Sequence, residues 1–348
     1  MKVLFYRHGN YKNSTGGAEV QLLATAEALR LKGVTVDYSD NRSEDLSGYD
    51  LVHVFNSPNF EETKSYFENA IRQNKPLAFS TIFWSKEELA VGIARTAKVK
   101  IAKAVLGVKM SKALWGKIKS ETNEQKIERW LFESANVLLP NSEGEMAEIK
   151  RVYGIHNANY QVVRNAIDAE LFKDQPTKNR SEYVLSVGRV ENRKNTEKLI
   201  KACHNLGYKL VLIGSLDSKD AYAAQCKRLM DEYGFEHIRS MAQKELRKYY
   251  YEAKVHAMVS WYETPGLSSM EAACGGCNIV TTDRGSTTEY FSDEAYYCDP
   301  FSQKSIEVAL HRAMDAEQSL ALRKKITKQY TWDGAAEDTL AGYRRIVK

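Results

Sequence analysis

Short apolar runs of strand length alternate with helix-forming stretches along this chain, and that alternation is what most narrows its fold. A helix between two strands lets them run parallel, so repeated strand–helix units predict parallel α/β sheets. In the first half the strand-like runs lie at residues 3–6, 34–38, 51–55, 77–82, 137–140 and 161–163. Between the first two, Val20, Leu22, Leu23, Ala26, Leu29 and Leu31 recur close to helical spacing. A polar, turn-rich stretch from Asn165 to Arg180 interrupts the pattern, which resumes at residues 183–187, 210–213, 237–241, 255–260, 279–282 and 295–298. A chain of 348 residues is long enough for two cores of ordinary size. Two doubly wound halves joined by a linker imply a cleft, and in open sheets of this kind the ligand crevice lies beyond the carboxyl ends of the strands.

The loops at those ends carry the chemistry. The run at 255–260 leads into Tyr262-Glu263-Thr264-Pro265-Gly266-Leu267-Ser268-Ser269-Met270-Glu271, read as strand, tight loop and helix. Such a loop leaves the first helical N–H groups, near Gly266, Leu267 and Ser268, unpaired and open to an anion. Glu263 and Glu271, seven residues intervening, can both face the cleft and grip sugar or ribose hydroxyls. That is the composition of a nucleotide-sugar site. After the run at 183–187, Gly188 permits a tight exit, and Arg189 and Lys194 place two cations just past the strand end. Fixed cations in a dry cleft stabilise the charge that develops on a departing diphosphate. After the first strand, Gly16 and Gly17 open a helix in a loop whose backbone can approach an oxyanion. That loop has neither G-x-G-x-x-G nor G-x4-G-K-[ST], which weakens nicotinamide, flavin and P-loop readings.

Glu-x7-Glu at a strand–loop–helix junction, with Glu271-Ala272-Ala273-Cys274-Gly275-Gly276, Asn278 to Asp283 and Gly188-Arg189-x4-Lys194, resembles the GT-B retaining glycosyltransferases of family 4. The likeness runs over nearly the whole chain, with its most specific motifs between Gly188 and Asp283. It implies a GT-B fold, in which two Rossmann-like domains face across a cleft: an acceptor domain at 1–166, a donor domain at 167–329, and a final helix at 330–348 crossing back to the first. It implies transfer of a sugar from a nucleoside diphosphate, UDP or GDP, to an acceptor hydroxyl with retained configuration. Arg189 and Lys194 would then hold the diphosphate with N–H groups at Gly266, Leu267 and Ser268. Glu263 would contact the donor sugar, Glu271 the ribose, and Gly16 and Gly17 the diphosphate and acceptor. No D-x-D occurs, so neither a metal nor another cofactor is expected.

Two departures bear on acceptor and sugar identity. The histidine that family members often carry after the fourth strand is missing from Phe79-Ser80-Thr81-Ile82-Phe83-Trp84-Ser85, where Phe83 and Trp84 form either a sugar-stacking wall or buried core. The usual Pro-Asn-Gly-Val-Asp hinge is Arg164-Asn165-Ala166-Ile167-Asp168, so Arg164 either reaches the cleft or caps a domain edge. A catalytically degenerate sugar-nucleotide-binding partner, or a GT-B epimerase or phosphorylase, are the alternatives to the transferase reading.

Composition adds limits. At 43% hydrophobic and 27% charged residues, with a net charge of +5, the chain reads as a soluble globular protein. It has no apolar run long enough to cross a bilayer, and a cytoplasmic location is expected. Its five scattered cysteines read as free thiols, and Cys274-Gly275-Gly276-Cys277 has no second pair to complete a zinc site. From Arg95 to Lys119 there are eight Lys or Arg and no acidic residue, interleaved with apolar positions and Trp115. That suits either a basic surface helix or an interfacial one resting on the inner face of the cell membrane, where a glycan or lipid-linked acceptor of envelope synthesis would wait. No nucleic-acid module accompanies the basic run.

Overall fold

The structure, a computed structural model, describes residues 1–8, 17–84, 121–155, 158–174, 180–318 and 320–347. Gly16 and the segment from Arg95 to Lys119 lie outside the described residues. Two sheets, every strand pair in them parallel, organise the molecule. The first has the order β2-β1-β3-β4-β5 and comprises β1 (Lys2–Tyr6), β2 (Thr35–Ser39), β3 (Leu51–Phe55), β4 (Leu77–Ser80) and β5 (Val137–Leu139). The second has the order β11-β10-β9-β6-β7-β8 and comprises β6 (Ser181–Val187), β7 (Lys209–Ile213), β8 (Glu236–Ile238), β9 (Ala253–Met258), β10 (Asn278–Thr282) and β11 (Tyr296–Cys298). Residues 161–163 are not a strand. That stretch is extended and bonded to the rim of β5, through Gln161 N–H to Leu138 O and Val163 N–H to Pro140 O, but only Tyr160 makes a ladder bridge.

Helices cover both faces of each sheet, so β3 and β10 are buried along their whole length, as continuous apolar strands in parallel sheets are. The first half contributes α1 (Gly17–Leu31), α2 (Phe60–Arg72), α3 (Asn123–Ser134) and α4 (Glu143–Tyr153). The second contributes α5 (Thr196–Leu206), α6 (Ala221–Glu232), α7 (Gln243–Glu252), α8 (Leu267–Gly275), α9 (Thr287–Phe291), α10 (Gln303–Asp315) and α11 (Ala321–Gln329). Polar caps set their starts: Asn59 accepts from Glu62 N–H at α2, Thr122 and Gln125 form a capping box at α3, and Ser142 accepts from Glu145 N–H at α4.

The last helix, α12 (Trp332–Tyr343), returns to the first sheet. Its Ala335, Ala336 and Tyr343 share one core with Val3, Phe5, Leu29 and Val137. Tyr343 Oη is hydrogen-bonded to buried His53 Nδ1 at 2.7 Å, and His53 Nε2 to Ser80 Oγ at 2.9 Å. Burial lowers His53 to about 3, so this relay is neutral. The second half meets the first through polar contacts. Glu289 on α9 accepts from the N–H groups of Glu143 (3.1 Å) and Gly144 (2.6 Å) at the head of α4. Ser142 and Ser286 share a 2.5 Å hydrogen bond, and Tyr290 Oη donates to Asn141 O at 2.6 Å while accepting from Asn165 N–H at 2.9 Å.

Candidate functional site

In each sheet the connections change direction at one place, between β1 and β3 in the first and between β6 and β9 in the second. A crevice opens at the carboxyl ends of strands at such a point. The loops after β6 and β9 are those that carry the predicted site residues. Gly188 N–H donates to Ile213 O at 2.9 Å as the chain leaves β6, and the next turns bring Lys194 to the loop after β9. There Lys194 Nζ donates to Glu263 Oε2 at 2.8 Å, and Ser260 Oγ donates to the same oxygen at 2.8 Å. Arg193 Nη1 stands 3.8 Å from it. The Lys194 and Glu263 side chains are only 15% and 6% exposed.

Burial alone would raise the Glu263 carboxyl, but Lys194, Arg193 and the hydrogen bonds from Lys194 and Ser260 outweigh it and hold the group down at about 2. The carboxylate is therefore ionised at neutral pH. Burial, opposed by Glu263 and assisted by Arg193, lowers Lys194 below the usual lysine range. His256 on β9 lies fully buried near this pair, and burial and Lys194 bring it to about 3.

The loop is fixed by two glycines. Gly266 precedes α8 at φ 85°, beside the Glu263 side chain, and starts the helix without a side-chain cap. Its carbonyl accepts from Ser269 and Met270 N–H, which leaves those of Leu267 and Ser268 as the open donors of the first turn among the described residues. Gly285 crosses the loop at φ 96°, where a Cβ would stand 2.1 Å from Glu263 O. That approach permits the Glu263–Gly285 bridge, with Glu263 N–H donating to Arg284 O and Ser286 N–H to Glu263 O.

The other predicted residues are distributed unevenly. Gly17 begins α1 opposite α8, and a Cβ there would lie 3.8 Å from Leu267 Cδ1, so the heads of the two helices face each other. Glu271 is already bonded, accepting from Gln243 Nε2 at 2.5 Å and Tyr250 Oη at 3.0 Å, and burial raises its carboxyl. Arg189 is exposed and makes no side-chain hydrogen bond or ion pair among the described residues. Phe83 belongs to the core against Phe132 and Tyr153, whereas Trp84 lies with the Arg193 guanidinium 5.4 Å from its ring centre. Arg164 pairs with Asp338 of α12 at 3.9 Å, a domain edge. Cys277 Sγ donates to Tyr250 O, and all five cysteines are free and buried. Sequence reasoning missed Arg193 and Ser260. Position next to Lys194 was a signal for the first, and nothing local marked the second.

Residues 168–330, which contain this whole loop system, match the glycosyl transferases group 1 family. That match lies in the second half of the chain, around the second sheet. Among curated proteins, this chain is 25% identical over 231 residues to the glycogen synthase of Mycobacterium tuberculosis, covering 62% of this chain and 56% of that one. It is 29% identical over 174 residues to the N-acetylgalactosamine-N,N'-diacetylbacillosaminyl-diphospho-undecaprenol 4-alpha-N-acetylgalactosaminyltransferase of Campylobacter jejuni, covering 48% of this chain and 47% of that one. The chain thus spans about half the length of these relatives. The sucrose-phosphate synthase structure from Thermosynechococcus elongatus superposes with a TM-score of 0.75 at 17% identity, over 99% of this chain and 98% of that one. Anabaena HepE, solved with UDP and glucose, gives 0.63 at 16% identity over 99% and 95%. These structural likenesses establish the GT-B fold over the chain.

Proposed function

We propose that this protein is a retaining glycosyltransferase that moves a sugar from a nucleoside diphosphate to an acceptor hydroxyl. The observation that carries the reading is the meeting of Lys194, Glu263 and the open head of α8 at the point where the second sheet changes direction. The open N–H groups and Lys194 supply positive charge for a departing diphosphate, with Arg189 free to join them. Glu263, ionised and held by two hydrogen-bond donors with Arg193 3.8 Å away, offers its other oxygen to a sugar hydroxyl. These groups meet the charge of the leaving group without a metal, so turnover should survive chelation. Glu271 takes the ribose by exchanging one of its present partners.

A UDP-linked donor is supported by the ligand of HepE, and a glycan on a lipid carrier by the diphospho-undecaprenol acceptor named for the Campylobacter relative. The basic composition from Arg95 to Lys119 suits peripheral contact with an anionic leaflet. No helix among the described residues is long and apolar enough to cross a membrane.

The test is diphosphate release from a panel of UDP-, GDP- and TDP-sugars, with and without membrane lipid extract and EDTA. Release from one donor, stimulated by extract, indifferent to EDTA and reduced at least about a hundredfold in Lys194→Ala and Glu263→Ala, is expected. Tight donor binding without release under any acceptor would replace the reading with that of a sugar-nucleotide-binding partner.

A further inference from the structure

Glu263 Oε2 faces two cations, and they are held differently. Lys194 has Glu263 as its only side-chain partner among the described residues, at 2.8 Å. Its ammonium is a point charge on a flexible four-carbon stem. Arg193 is tethered on several sides: Nη2 donates to Glu191 at 3.0 Å, Nη1 to Tyr262 O at 3.4 Å, and its main-chain carbonyl accepts from Trp261 N–H at 3.0 Å. Its guanidinium also lies over the Trp84 ring, within the range of a cation–π contact. Trp84 follows β4 of the first sheet, so the seat of this arginine is built from both halves of the molecule.

A diphosphate in the crevice competes with Glu263 for Lys194. Leaving a carboxylate buried to 5% exposure without a counter-ion is strongly unfavourable. We propose that Arg193 is a positioning residue that takes over the charge of Glu263 when Lys194 turns to a bound diphosphate, with Trp84 holding it in place. The inference rests on the donor-site reading above and deepens it. Arg193 contributes to diphosphate affinity without touching the nucleotide, by making Lys194 available.

This predicts a particular coupling, measurable by calorimetry with UDP, GDP and TDP as probes. In Arg193→Gln, Glu263 retains Lys194, and affinity for the diphosphate falls about tenfold while that for the corresponding monophosphate changes little. In Glu263→Gln the lysine is already released, so adding Arg193→Gln changes affinity less than about twofold. Arg193→Lys keeps a cation in place and recovers most of the loss, which separates the effect from misfolding. Equal weakening by Arg193→Gln in both backgrounds, equal weakening of mono- and diphosphate, or no weakening at all overturns this inference alone. If no diphosphate binds the unmodified protein, or if Lys194→Ala binds as tightly, the donor-site reading fails and this inference fails with it.

Discussion

Glu145 and Glu263 are both buried carboxylates, and their surroundings drive them apart. Glu263 has two cations and stays ionised. Glu145, fully buried at the head of α4, has only neutral donors: Phe83 N–H at 2.7 Å, Asn141 N–H at 2.8 Å and the Thr81 hydroxyl. Burial outweighs these hydrogen bonds and raises its carboxyl to about 7. An acid whose folded value exceeds its unfolded value stabilises the fold fully below about 4.5 and progressively less as pH rises through 7. Between pH 5 and 7 the protein should therefore lose about 2 kcal/mol of unfolding free energy through this group. Urea titrations at the two pH values check this, because Glu145→Gln, whatever its absolute stability, should remove that part of the pH slope. Parallel slopes in the two proteins would exclude it. At this scale the site was legible where the motif is local. The loops after β6 and β9 were both singled out by their residues, but the 2.8 Å bond that joins Lys194 of one to Glu263 of the other was not, because 69 residues separate them. Arg193 and Trp84 come from different halves of the chain, and no local pattern records that pairing.

At the scale of elements, alternation of apolar runs was sufficient to place the eleven strands of the described residues, most clearly central ones such as β3 and β10, which are buried along their whole length. It failed at residues 161–163. There the chain borrows hydrogen bonds from the rim of β5 without forming a ladder, and hydrophobicity does not distinguish these two cases. Glycines mark where elements come too close for a side chain. Gly285→Ala would place Cβ against the Glu263 carbonyl and break the bridge beneath the carboxylate. We expect a loss of more than about 2 kcal/mol, from the clash added to the positive φ. Gly207→Ala, also at positive φ but with open space around it, should cost about 1 kcal/mol. Thermal unfolding of the two variants decides the comparison, and equal losses would mean the loop yields freely.

For the molecule as a whole, the polar contacts around α9 are one of the places where the halves meet, beside Trp84 on Arg193 and Gly17 opposite Leu267. Glu289 lends its carboxylate to the head of a helix in the other half, where charge and two N–H groups add. Glu289→Gln should cost only about 1 kcal/mol in global stability yet broaden the distribution of distances between labels placed on the two sheets. Pulsed electron-resonance distances with a width unchanged from the unmodified protein would show that the other contacts suffice. The return of α12 has a separate consequence, for the order of events during synthesis. The first sheet is translated early, but part of its core, Ala335, Ala336 and Tyr343, is translated long after it, once all strands of the second sheet have been made. On the ribosome the half that begins later is therefore the first able to complete its interior. The earlier half must wait, partly open, for the final helix to emerge from the exit tunnel.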